Sequence, residues 1–163
     1  ETARQVRGGT APRRQGTWTL DDYRREVADR MGDEAIARRV MELHRLLVEA
    51  GASFEMGTGA TAPTVNYQLA EGTDCPVRLN GYVYGIGLGF ATVRDLRSES
   101  EMSRLLRLAR EVPGASVDLE AMREGDWAQW PTLRYENLLP DDGSESLFAL
   151  KMIEASKPEE SLG

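Results

Sequence analysis

Cysteine and histidine each occur once, as Cys75 and His44. An intramolecular disulfide needs two cysteines, so none can form, and a lone thiol fits a reducing compartment. A structural zinc takes four ligands, usually His or Cys, and a catalytic zinc about three from the protein. These two residues exclude such a centre, and no metal site or cofactor is expected. A Cys and His nucleophilic pair would require the turn before Pro76 to meet the helix that carries His44. Lysine is limited to Lys151 and Lys157, so arginine carries almost all of the positive charge. No apolar run approaches the ~18 residues that span a bilayer. No signal-peptide pattern opens the chain either, so the expectation is a soluble, cytoplasmic protein without a membrane partner. A chain that begins at Glu1 reads as a fragment or a processed form.

Nucleotide motifs are also missing. Gly57-Thr58-Gly59-Ala60-Thr61 is glycine-rich, but a dinucleotide fingerprint wants a third glycine and a helix whose N-terminus holds the pyrophosphate. Pro63 and a strand pattern follow instead, and no Gly-Lys-Ser/Thr occurs. Asp141 and Asp142 sit between Pro140 and Gly143, which reads as a turn and not as a carboxylate metal site. Glu120 and Glu124 share a face if their segment is helical, as charge-rich helices often arrange.

What is present is an ordinary globular composition, 40% hydrophobic and 29% charged over 163 residues, enough for one core. Charge is uneven. Residues 1–17 carry Arg4, Arg7, Arg13 and Arg14 against Glu1, net +3, leaving −10 for the remainder of a chain at −7. Affinity for nucleic acid comes from neutralising phosphates, so the acidic body is an unlikely reader of DNA, and only the arginine arm suits that contact. We divide the chain into a disordered basic linker at 1–17, a single α+β domain at 18–155 and a frayed polar tail at 156–163.

Thr19 with Asp22 forms a helix-start box and Gly32 a stop, which predicts a helix over Leu20–Met31. Asp33 caps a second helix whose stripe Ile36, Val40, Leu43, Leu47 and Ala50 faces a core and ends at Gly51. Ser53–Met56 and Thr64–Ala70 read as strands. Val77–Leu79, an Asn80-Gly81 type I′ turn and Tyr82–Phe90 read as a hairpin. An antiparallel sheet of three to four strands follows. Ser98 with Glu101 starts a middle helix bearing Met102, Leu105, Leu106 and Ala109, which Pro113-Gly114 ends. Arg104, Arg107 and Arg110 fall off its apolar face. Asp118 caps a short turn through Arg123, Thr132–Leu138 reads as a strand, and Ser144 opens a C-terminal helix.

Two local patterns stand out as binding candidates. In Tyr84-Gly85-Ile86-Gly87-Leu88-Gly89-Phe90, strand alternation puts the large side chains on one face and leaves Gly85, Gly87 and Gly89 bare on the other. A helix packed there, from the Ile36 and Leu43 stripe or the Met102–Ala109 face, is the structural reading; a ligand groove beside Tyr82 and Tyr84 is the functional one. Trp127 and Trp130, before Pro131, suit either a core plug or a binding hot spot.

The order of features from Trp18 to about Leu150 resembles a poorly characterised bacterial module of hypothetical proteins, some linked to nuclease or restriction-type partners. Trp18, Gly57 and Gly59 before Pro63, Leu88 and Phe90, and Trp130-Pro131 ahead of Leu133 and Leu138 carry the resemblance, which implies no catalytic residue. The expectation is a non-catalytic accessory or protein-interaction domain of a larger bacterial protein, whose partner is another protein or a neighbouring domain. The alternative is a small enzyme or ligand-binding domain with a pocket over the Gly85, Gly87 and Gly89 face.

Overall fold

The structure, a computed structural model, describes residues 18–59, 61–119, 127 and 131–159. Helix α1 (Leu20–Met31) begins where the sequence places it. The Thr19 hydroxyl accepts from the Asp22 N–H while the Asp22 carboxylate accepts from the Thr19 N–H. Gly32 ends the helix in the left-handed region at φ 64°, where a Cβ is disfavoured. Asp33 then caps α2 (Glu34–Glu49), whose Ile36, Val40, Leu43 and Leu47 are buried. Ala50, assigned to that stripe, is instead the exposed C-cap.

Five strands form one antiparallel sheet in the order β1 (Ser53–Met56), β2 (Val65–Leu69), β3 (Val77–Gly81), β4 (Gly85–Leu88), β5 (Thr132–Arg134). The fold is α+β, with one strand more than the three to four expected. Asn80-Gly81 is not the hairpin turn. Both residues lie inside β3, paired with Gly87 and Ile86, and the turn is Val83-Tyr84, closed by the Tyr82 N–H donating to the Gly85 carbonyl at 2.8 Å. Gly81 does not take positive φ; its missing Cβ leaves room for the Tyr23 hydroxyl, 2.9 Å from where that atom would stand. A long-range packing need thus imitates a turn signal.

Val65, Tyr67, Leu69, Val77, Leu79, Ile86, Leu88 and Leu133 point from the sheet into the core. Asn66, Gln68, Arg78 and Asn80 alternate onto the other face, where they are half-buried or exposed. On the core side α1 packs on α2, and α7 (Ser144–Ala155) lies between α2 and α4 (Glu99–Arg110). The chain reaches α4 through a short helix, α3 (Phe90–Val93), so Phe90 leaves the strand to which the sequence assigns it.

The middle helix α4 ends at Arg110, ahead of Pro113-Gly114 as expected, but Pro113 has a second role. It opens α5 (Pro113–Leu119), as suits a residue whose fixed φ fits a first helical position. Asp118 sits within α5; the remainder of that expected turn, residues 120–123, lies outside the described residues. The strand expected over Thr132–Leu138 stops at Arg134 and continues as helix α6 (Tyr135–Leu138). Arg104, placed off the apolar face of α4, is 4% exposed. Its guanidinium, with that of Arg97, donates to carbonyls at the C-terminus of α7 (Glu154, Ala155) and to Lys157 just beyond it, and both contact Glu101.

Candidate functional site

The tip of the β3–β4 hairpin brings the expected tyrosines together. Tyr82 and Tyr84 stack with ring centroids 5.6 Å apart and planes 10° from parallel, and Tyr84 is 43% exposed. Two buried phenols hold the tip from beneath. The Tyr23 hydroxyl donates to the Tyr82 carbonyl at 2.8 Å and lies 2.5 Å from the Tyr135 hydroxyl. A carbonyl can only accept, so Tyr23 commits its single proton to Tyr82 and Tyr135 donates to Tyr23. The Tyr135 N–H also donates to the Tyr84 carbonyl. Burial pushes both phenols above their ordinary range, so they remain neutral donors. Sequence reasoning missed this relay; only the position of Tyr23 one turn before Val27 on the inner side of α1 hinted that its ring is buried.

Among the described residues, what lies closest to the three glycines is neighbouring strand, the Tyr82 ring and, at Gly89, Thr92 of α3, so the face is not bare. A methyl on Gly87 would meet the Tyr82 ring at 3.1 Å, one on Gly85 the Leu133 carbonyl of β5 at 2.7 Å, and one on Gly89 the Arg78 carbonyl at 3.0 Å. Neighbouring strands and a folded-back tyrosine occupy the space that the sequence left for a helix or a ligand. A cleft of about 560 Å³ lies elsewhere, beside α4, against Ser100, Ser103 and Arg107; none of the three glycines lines it.

Trp127 is not on this surface. It is 7% exposed, meets Phe90 edge to face at 5.6 Å, and donates its indole N–H to Glu99, as a plug at the core boundary would. Trp130 lies outside the described residues.

The residues weighed for chemistry stand apart. The His44 Nδ1 is 2.8 Å from the Tyr67 hydroxyl and its ring meets Phe54 edge to face at 4.6 Å. Burial lowers its pKa below the usual 6.5. Cys75 is buried beside Glu101 at 3.8 Å, and burial followed by that carboxylate raises its thiol pKa, which makes it a poor nucleophile. Among the described residues no group of three or more His, Cys, Asp or Glu is placed to hold a metal ion. No described helix is long and apolar enough to cross a membrane.

Comparison with known proteins gives no match to any protein family, curated protein or solved structure. The geometry alone therefore carries the functional reading.

Proposed function

We propose that this chain is a non-catalytic interaction module, an accessory domain of a larger bacterial protein, which holds another polypeptide through the Tyr82 and Tyr84 tip. The observation that carries this reading is the stacked tyrosine pair, half-buried Tyr82 beneath exposed Tyr84, fixed on a braced hairpin. Rings that are already ordered lose little conformational entropy on binding, and tyrosine is enriched where binding energy concentrates. The alternative, an enzyme or ligand-binding domain over the glycine strand, has less support, because Tyr82 and β5 fill the space above Gly85 and Gly87.

A photo-crosslinking amino acid at position 84, in cells that make the chain, tests the reading. A discrete adduct with one protein is expected at position 84 and not at exposed Glu49, and Tyr82→Ala should abolish it. Equal labelling at both positions, or none at 84, would refute the proposal.

A further inference from the structure

The two edges of the sheet end differently, and hydrogen-bond parity shows how. The Gly57 N–H donates to the Thr64 carbonyl, which continues the β1–β2 register by one residue and makes Gly57 and Thr64 a hydrogen-bonded pair. Alternation along an antiparallel ladder then assigns Glu55 with Asn66 and Ser53 with Gln68 to the bonded pairs. The N–H and C=O groups of Phe54 and Met56 consequently point away from the sheet. The same parity runs through the Gly89 N–H to Arg78 carbonyl bond and the Leu88 N–H to Pro131 carbonyl bond, so it is consistent across all five strands. Ser53, Phe54 and Glu55 are exposed.

From this we infer that β1 is a docking edge for an extended segment of another polypeptide, one that alternates apolar and basic residues and adds as a sixth strand. Outward backbone groups at Phe54 and Met56 are the donors and acceptors that strand addition uses. The side chains beside them specify the alternation. Phe54 pairs with core-facing Tyr67 and leans on the His44 ring, yet is 43% exposed, so a neighbouring strand would cover it with an apolar residue on the helix side. Glu55 lies on the opposite face with Asn66, and no cation among the described residues pairs with it. Relative to a sixth strand, Glu55 occupies a position where opposed Cα atoms come closest, roughly 4.5 Å apart, so a facing Lys or Arg is favoured and a carboxylate repelled. The charge of −7 on the chain favours the same sign of partner.

A second copy fits less well. A two-fold axis through Glu55 sets that carboxylate against itself, and one through Phe54 faces it with Ser53, which supplies no cation. The inference does not depend on the tyrosine tip, and its test reads other residues.

The test uses the full chain, isotopically labelled and titrated with a capped octapeptide that alternates valine and arginine, beside its valine and glutamate counterpart. With the arginine peptide, amide exchange at Phe54 and Met56 should slow at least roughly tenfold, while Glu55, already in the β1–β2 ladder, stays unchanged. Glu55→Lys should shift preference toward the glutamate peptide by roughly two- to fivefold, in line with the worth of one cross-strand charge pair. Exchange at Phe54 and Met56 that neither peptide slows would overturn the inference. So would a preference that Glu55→Lys leaves untouched. A dimer in sedimentation velocity, with both amides protected before any peptide is added, would assign the edge to a second copy and overturn it as well.

Discussion

The edge at β5 is tied down at Arg134 and the edge at β1 is open. Parity turns the Thr132 and Arg134 backbone groups outward on β5, and the Arg134 N–H is taken by Asp118 of α5 at 2.9 Å. Asp118 also binds the Arg134 guanidinium at 3.0 Å and receives the Asn137 amide, which fastens α5 to β5 and α6 together. Nothing described does the same for Phe54 or Met56. An exposed edge invites association, so a protein that caps one edge with a buried carboxylate and leaves the other uncapped separates a structural border from a surface available for binding. The tyrosine tip belongs to the ordered part of the molecule, because the Tyr23 and Tyr135 relay ties it to α1 and α6.

The largest effect should come from breaking the seal at its closest contact. A methyl on Gly114 of α5 would stand 1.8 Å from the Asn137 carbonyl, a backbone atom with no rotamer to yield. Gly114→Ala is expected to destabilise by at least about 3 kcal/mol in urea unfolding. A loss below about 1 kcal/mol would mean that α5 and α6 are less closely joined.

Asp118→Ala comes next. Its carboxylate is only 6% exposed and accepts three kinds of donor, so its removal frees the exposed Arg134 N–H to water and should destabilise by roughly 0.5–1.5 kcal/mol. The same variant should convert β5 into a second open edge, with faster amide exchange at Arg134 and a greater tendency to self-associate. Unchanged exchange at Arg134 would show that the seal lies elsewhere.

A smaller effect is expected on the β1 side under acid. The pKa of His44 in the fold is depressed by burial below 6.5, so between the two values the unfolded chain binds more proton than the folded one. Its contribution to stability is therefore full above about pH 6.5 and is lost as pH falls through the folded value. Because His44 supports Phe54, protection in the β1–β2 ladder, measured relative to the intrinsic exchange rate at each pH, should fall between pH 7 and 5 before protection around β5 does. His44→Gln should remove that difference, and its persistence would place the titrating group elsewhere.

The same contrast explains how much was legible in the sequence. α1 and α2 were readable because Thr19, Asp22, Gly32 and Asp33 act within a turn of themselves. The β5 seal was not, since Asp118 and Arg134 are sixteen residues apart and share no local pattern. Pro113-Gly114 read as a stop because its other role, admitting the Asn137 carbonyl, is tertiary. For the candidate site, Tyr82 and Tyr84 were singled out as neighbours of a glycine-bearing strand face, whereas the structure places Tyr84 in the hairpin turn. Their brace was not, because Gly81 offered a turn signature while serving Tyr23 from far along the chain. Trp127 was singled out for its size and proved to be packing, anchored by Glu99 and Phe90.

The contrast between the two edges is tested most directly by native-state amide exchange on the free, full-length chain. Phe54 and Met56 are expected to exchange close to the rates of unprotected amides, Glu55 slowly, and Arg134 slowly through its bond to Asp118. Protection at Phe54 and Met56 equal to that at Glu55, or an unprotected Arg134, would contradict the assignment of an open β1 edge and a β5 edge held at Arg134.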